Sequence, residues 1–222
     1  GAGGRMSLTV GIIGLPNVAN SLMALKTAVY DEQFCTVEEL LAALQANFQG
    51  NESLRKRLQQ LPKYGEQNPQ ADAIMNRLMH SVDRILNAYT TLHGGKCKQV
   101  LLTFNFAPQF GAALGATAEG NLANTPVAHG LTPSNNKQGL SAAMQSYLSI
   151  DNELVSGGAS TMWDMDAEWI NESLLGSVYS VFEQGGGQIF KVVFKAVGMQ
   201  QLLPVTLTVP AKTEGPGGIT VP

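Results

Sequence analysis

The chain has 222 residues, 44% of them hydrophobic and 14% charged, with a formal net charge of -3. That length buries a real core as one large domain or two small ones. The mild acidity offers no basic stripe to phosphates, so no nucleic-acid partner is expected, and no run reaches the roughly 18 apolar residues of a membrane span. Without a basic-then-apolar leader, the expected location is the cytoplasm.

In chain order, Leu8 to Leu15 is apolar with two glycines, which suits a short buried strand. Val18, Leu22, Leu25 and Val29 then share one helical face, with Asn17 as the expected cap and an end near Tyr30. Thr36 and Glu39 stand in capping-box spacing, in which hydroxyl and carboxylate satisfy each other's backbone donors, so a helix runs from Val37 to about Phe48 and stops at Gly50. Leu54, Leu58 and Leu61 continue the period to Pro62. Asn68-Pro69 opens a long helix, because Asn caps and proline loses nothing at the first helical position. Ile74, Leu78, Val82, Ile85 and Tyr89 are its expected apolar face, and Gly94-Gly95 closes it.

The period changes at Gln99 to Phe106, a β-prone run too apolar to have one face in water, which predicts an interior strand. Ala107 to Gly139 is rich in Gly, Ala, Asn, Thr and Pro and reads as a long functional or covering loop. Leu140 to Leu148 predicts a short helix, and Glu168 to Phe182 a longer one capped by Asp166. Gly185-Gly186-Gly187 makes a turn into a strand over Gln188 to Val197. Helix, glycine turn and apolar strand recurring in that order argue for an α/β fold. Residues 191–222 form a divergent strand and a Gly/Pro-rich tail, set apart from a first unit of residues 1–190.

Single residues carry little chemistry on their own. Cys35 and Cys97 have no metal-ligand spacing and read as small buried hydrophobes; His80 reads as a surface or core residue, and His93 as a helix-end charge. Asp164 and Asp166 are too few for a calcium site, and no metal site is expected. The start, Gly1 to Arg5 without Met, reads as a cloning remnant or the interior of a longer chain.

Several segments resemble glycyl radical enzymes of the pyruvate formate-lyase type, in the branch of dehydratases, decarboxylases and lyases. Leu15-Pro-Asn-Val-Ala-Asn-Ser-Leu-Met-Ala-Leu-Lys26 is similar to the family's N-x-x-D-S-L-x-A-I-K helix, with Asn20 where Asp is usual. Pro62-Lys-Tyr-Gly65 resembles P-K-[YW]-G. Gly115-Ala-Thr-Ala-Glu-Gly120 with Thr125-Pro-Val-Ala-His-Gly-Leu-Thr-Pro-Ser134 resembles G-A-T-P-D-G-R-x-A-x-E-P-L-A-D-G-x-S-P-S. There Asn121 replaces Arg, Ala118 replaces Pro, Thr125 replaces Glu and His129 replaces Asp. Gly185 to Gln188 is similar to G-G-x-Q ahead of a barrel strand.

The resemblance implies a partial section of a ten-stranded α/β barrel of the glycyl radical enzyme type. In that family a thiyl radical on a cysteine loop abstracts hydrogen from a small organic substrate. A glycyl radical, installed by an activating enzyme that uses S-adenosylmethionine, stores the spin. Neither Cys35 nor Cys97 sits in the cysteine motif, and Pro210 to Gly215 lacks the R-V-x-G-Y segment, so no residue here is assigned as catalytic, no cofactor is expected to be bound, and the chain alone is expected to be inactive. The implied partners are the remainder of the enzyme chain and the activating enzyme, with a homodimer as a further expectation. Thr103, Phe104 and Asn105, on a strand that faces the substrate cavity at alternate positions, and His129, in the signature loop, are the expected cavity-lining residues. The alternatives are a non-catalytic remnant or scaffold protein, and an unrelated α/β enzyme with an acid–base site.

Overall fold

Among the described residues, four strands, all parallel, follow one another in space in the order in which they occur in the chain. The computed structural model describes residues 7–103, 106–135, 137–155, 157–166, 171–184 and 189–195. Strand β1 (Leu8–Gly11) pairs with β2 (Cys97–Val100) in a register running from Leu8↔Cys97 to Gly11↔Val100. Strand β3 (Ser160–Asp166) pairs with β4 (Ile189–Lys195), from Ser160↔Ile189 to Asp166↔Lys195. A parallel bridge between Leu101 and Ala159 joins the two pairs. In it the Leu101 amide donates to Gly158 O at 2.9 Å and the Ser160 amide to Leu101 O at 3.1 Å.

Parallel neighbours need long crossovers, and helices supply them. Between β1 and β2 run α1 (Leu15–Leu25), extended by a π-helical stretch over Lys26–Asp31, then α2 (Val37–Gln45), α3 (Glu52–Gln60) and α4 (Pro69–Asn87). Helices α5 (Ala107–Ala112) and α6 (Gly139–Leu148) lie between β2 and β3, and α7 (Glu172–Glu183) between β3 and β4. The capping box forms as expected: Glu39 N donates to Thr36 Oγ1 at 3.1 Å and Thr36 N to Glu39 Oε2 at 2.8 Å. Asn68 Oδ1 likewise accepts from the amides of Gln70 and Ala71.

Several expectations need correction. Strand β1 is largely exposed rather than buried, and the inward face of α1 is Ala19, Met23 and Ala24, with Val18 and Leu22 exposed. Asn17 is no cap; Gly14 holds the N-cap of α1 and Asn17 lies inside the helix. The fully buried stripe of α4 is Ala71, Met75 and Met79; of the expected face Ile74 and Leu78 pack partly buried against the core, whereas Ile85 and Tyr89 are exposed, because the helix packs its Met face inward and ends at Asn87, well before Gly94-Gly95. The strand expected over Gln99 to Phe106 starts at Cys97 and ends sooner, with Ala107 already in α5. Asp166 belongs to β3 rather than capping a helix; the cap of α7 is Asn171, whose Oδ1 accepts from Leu174 N at 3.0 Å. Gly185 to Gly187 and the tail lie outside the described residues.

Helices cover one face of this strand array. Along β2 and beyond, Cys97, Gln99, Leu101 and Thr103 are buried while Lys98, Val100 and Leu102 are half-buried, the two-residue alternation of a strand. Leu101 and Ala159 join Met75, Met79, Met144, Tyr147, Val178 and Val181 in the main core, so the helices lie on the Leu101 side. The side carrying Lys98, Val100 and Leu102 has no helical layer among the described residues. A second cluster, with Ala24, Ala28, Leu40, Ala43, Phe48 and Leu58, knits α1, α2 and α3 together.

Candidate functional site

Beyond the Leu101–Ala159 bridge, β2 and β3 part, and residues 128–132 fill the gap. Leu131 N donates to Ser160 O at 2.9 Å and Met162 N to Thr132 Oγ1 at 2.7 Å, so the loop takes the edge of β3 that β2 leaves. On the other side Thr103, wholly buried, donates through Oγ1 to Ala128 O at 3.3 Å and accepts from Gly130 N at 3.0 Å. One hydroxyl thus ties down the residues immediately before and after His129. Gly130 has φ +55, and a Cβ there would stand 2.7 Å from Leu101 O and closer still to Ser160 O, so only glycine lets the wedge seat. His129, half-buried, brings Nδ1 to 3.1 Å from Ser160 Oγ. Since Ala159 and Thr161 are buried on the helical side, alternation turns Ser160, itself only 5% exposed, and its half-buried histidine partner to the opposite face, the one without helices.

Behind the wedge sits a buried carboxylate. Glu119 is 2% exposed, yet its oxygens accept from Asn17 Nδ2 at 2.6 Å, Asn121 Nδ2 at 2.9 Å, Asn20 Nδ2 at 3.1 Å and Ser134 Oγ at 3.4 Å. The same asparagines reach onward: Asn17 Oδ1 accepts from Ala128 N at 2.7 Å, and Asn20 Oδ1 from Tyr64 N at 2.9 Å. The Tyr64 hydroxyl closes the circuit by donating to Leu131 O at 3.0 Å. Burial pushes the Glu119 carboxyl above its ordinary range, opposed by the bonds from Asn17 and Asn20, the charge of Lys63 and the Ser134 bond. Burial pulls the Lys63 ammonium down, with Glu119 opposing. Donors aimed at a buried anion offset its desolvation, so the hub holds together four sequence segments that would otherwise be separate loops.

These four are motif segments of the sequence: the α1 start, Pro62 to Gly65, Gly115 to Gly120, and Thr125 to Ser134. The structure brings them together around Glu119 and presents one of their side chains, His129, to the uncovered strand face. Thr103 lies on the helix-covered side of its strand. Phe104 and Asn105 lie outside the described residues. The sequence offers Asn17 only as a helix cap and Glu119 only as part of the Gly115–Gly120 motif, and it gives no signal for Ser160. Cys35 packs in the α1–α3 cluster, and Cys97 shares the helix-covered side of β2. His80 meets Asp151 at 3.4 Å on the surface. Among the described residues no three His, Cys, Asp or Glu side chains gather as a metal would require, and no helix is long and apolar enough to cross a membrane.

Residues 1–111 match the family model described as pyruvate formate lyase-like. This chain belongs to the pyruvate formate lyase-like family of glycyl radical enzymes. It is 30% identical over 149 residues to trans-4-hydroxy-L-proline dehydratase of Clostridioides difficile, a match covering 66% of this chain and 19% of that protein. With isethionate sulfite-lyase of Bilophila wadsworthia (strain 3_1_6) it shares 32% identity over 126 residues, 55% of this chain and 15% of the other. Among solved structures, the hydroxyproline dehydratase of C. difficile with trans-4-hydroxy-L-proline bound superposes with a TM-score of 0.77 at 26% identity, over 84% of this chain and 25% of that one. The glycerol-bound, B12-independent glycerol dehydratase of Clostridium butyricum gives 0.77 at 27% identity, over 83% and 25%. The glycyl radical enzyme chain described here therefore spans about a quarter of the length of those solved relatives. Within the family motif, both departures at Asn20 and Asn121 fall on one carboxylate: an expected acid and an expected base are each replaced by an amide that donates to Glu119.

Proposed function

We propose that this chain forms a section of the wall of a ten-stranded α/β barrel. The whole protein is then a cytosolic, oxygen-sensitive radical lyase, dehydratase or decarboxylase of a small organic substrate. The observation that carries this reading is the uncovered strand face. Parallel sheets are found with both faces covered, and here helices lie on one side only, so the Lys98–Val100–Leu102 side is the side a barrel would enclose. Hydroxyproline and glycerol dehydratases and isethionate lyases among the relatives support a small polar substrate.

The family's chemistry needs a thiyl sulfur and a glycyl radical, the latter installed by an activating enzyme that uses S-adenosylmethionine. Within these 222 residues neither cysteine fits the first role, since Cys35 and Cys97 both point away from the uncovered face. The chain alone therefore turns over no substrate; what it contributes is wall, shape and the His129 loop. A non-catalytic remnant is the second reading, and the loss of the acid at position 20 and the base at position 121 favours it.

Two measurements test the proposal. Anaerobic incubation of the chain with an activating enzyme is expected to give no organic radical signal by electron paramagnetic resonance; a glycyl doublet would refute the claim that the chain alone is inactive. The coding sequence on either side is expected to hold a cysteine loop and an R-V-x-G-Y segment, and absence of both would remove the enzyme reading.

A further inference from the structure

We propose that Thr103 is a positioning residue: through the loop it grips on both sides of His129, it sets that imidazole against Ser160 on the uncovered strand face. The inference rests on the proposed function only for what lies opposite that face; the mount itself is geometric. Four constraints fix the loop within the four residues from Ala128 to Leu131. Thr103 Oγ1 holds Ala128 O and Gly130 N, Asn17 Oδ1 holds Ala128 N, Ser160 O holds Leu131 N, and Gly130 leaves no space for the loop to shift. A loop fastened at consecutive residues loses the freedom that normally lets a half-buried histidine sample several rotamers. Ser160 Oγ stands 3.1 Å from Nδ1, and because a hydroxyl donates to a bare Nδ1 or accepts from a protonated one, the contact holds the ring in place in either tautomer and its removal shifts the balance between them.

The test uses the three histidines of the chain, His80, His93 and His129, in 15N-labelled protein at a pH well above the imidazole pKa of about 6.5. Ring 15N shifts report the tautomer of each. In the unsubstituted chain His129 is expected to show a tautomer balance distinct from that of exposed His93. Ser160→Ala should change the His129 tautomer balance and leave His80 and His93 unmoved. Thr103→Ser keeps the hydroxyl and should preserve the His129 signature. Thr103→Val should abolish it while circular dichroism stays the same. A role confined to core packing predicts the reverse: Val, matching the shape of Thr, would leave His129 unchanged. The proposal is overturned if His129 resembles His93 in the unsubstituted chain, or if Ser160→Ala leaves it unmoved. Should Thr103→Val fail to fold, the Ser160→Ala and Thr103→Ser results decide alone. None of these outcomes depends on radical chemistry, so failure here is separable from failure of the barrel reading.

Discussion

Asn20→Asp restores the acid expected from the family motif and should nevertheless destabilise this chain, because its neighbour has changed too. Asn20 is wholly buried, and its Nδ2 lies 3.1 Å from Glu119 Oε2 and 2.8 Å from Ser134 Oγ. A carboxylate in its place sets two like charges at about that separation, a repulsion of about 5 kcal/mol at an effective dielectric of about 20. The site can escape by holding a proton between the two acids. At neutral pH this costs about 1.4 kcal/mol for each pH unit above a carboxyl pKa near 4, or about 4 kcal/mol. Both routes give a loss of about 4 kcal/mol, a large part of the roughly 5–15 kcal/mol typical of a domain. Adding Asn121→Arg should recover much of it, since Asn121 Nδ2 already sits 2.9 Å from Glu119 Oε1 and a guanidinium there faces both acids. The assay is urea unfolding of the four chains of the double-mutant cycle, with a constant m-value as the control. A favourable coupling of about 2 kcal/mol or more is expected, with the Asn20→Asp penalty shrinking towards pH 5. Coupling below about 0.5 kcal/mol, or a penalty that ignores pH, would refute the reasoning.

Two further predictions concern the wedge and the buried ionisable groups. Gly130→Ala should cost about 3 kcal/mol or more in the same unfolding assay, since φ +55 and backbone oxygens of Leu101 and Ser160 leave no place for a methyl; a loss under about 1 kcal/mol would mean the loop is not seated there. Burial raises the carboxyl pKa values of Glu119 and of Asp72, so each contributes stability that is complete below the ordinary value near 4 and is lost as pH rises through the raised folded value. Unfolding free energy should therefore increase on acidification from neutrality towards that region, and Glu119→Gln should flatten the slope. Lys63 acts at the other end: its lowered value imposes a deficit that is relieved as pH climbs towards 10.5.

Local signals fixed the elements whose chemistry is local. Thr36 with Glu39 and Asn68 with Pro69 specify helix starts through bonds made within three residues, and both form as the sequence indicates. The family could be read from motif segments, because those residues meet around one carboxylate and are constrained together. Where an answer depended on which neighbour arrived, the sequence was silent. The buried stripe of α4 is set by what it packs against, α1 and β2, so Met75 and Met79 go inside while Ile85 and Tyr89 stay out. Asn17 has the composition of a cap but bonds residues more than a hundred positions away. Strand β3 was not foreseen, since its residues gain their strand geometry from pairing with β4 and from the bridge to Leu101. Sequence alone thus determined family, class and the helix starts at Thr36 and Asn68; only tertiary structure decided which face lies open and that His129, Ser160 and Thr103 belong together, because that grouping comes from long-range hydrogen bonds that leave no periodic trace in the chain.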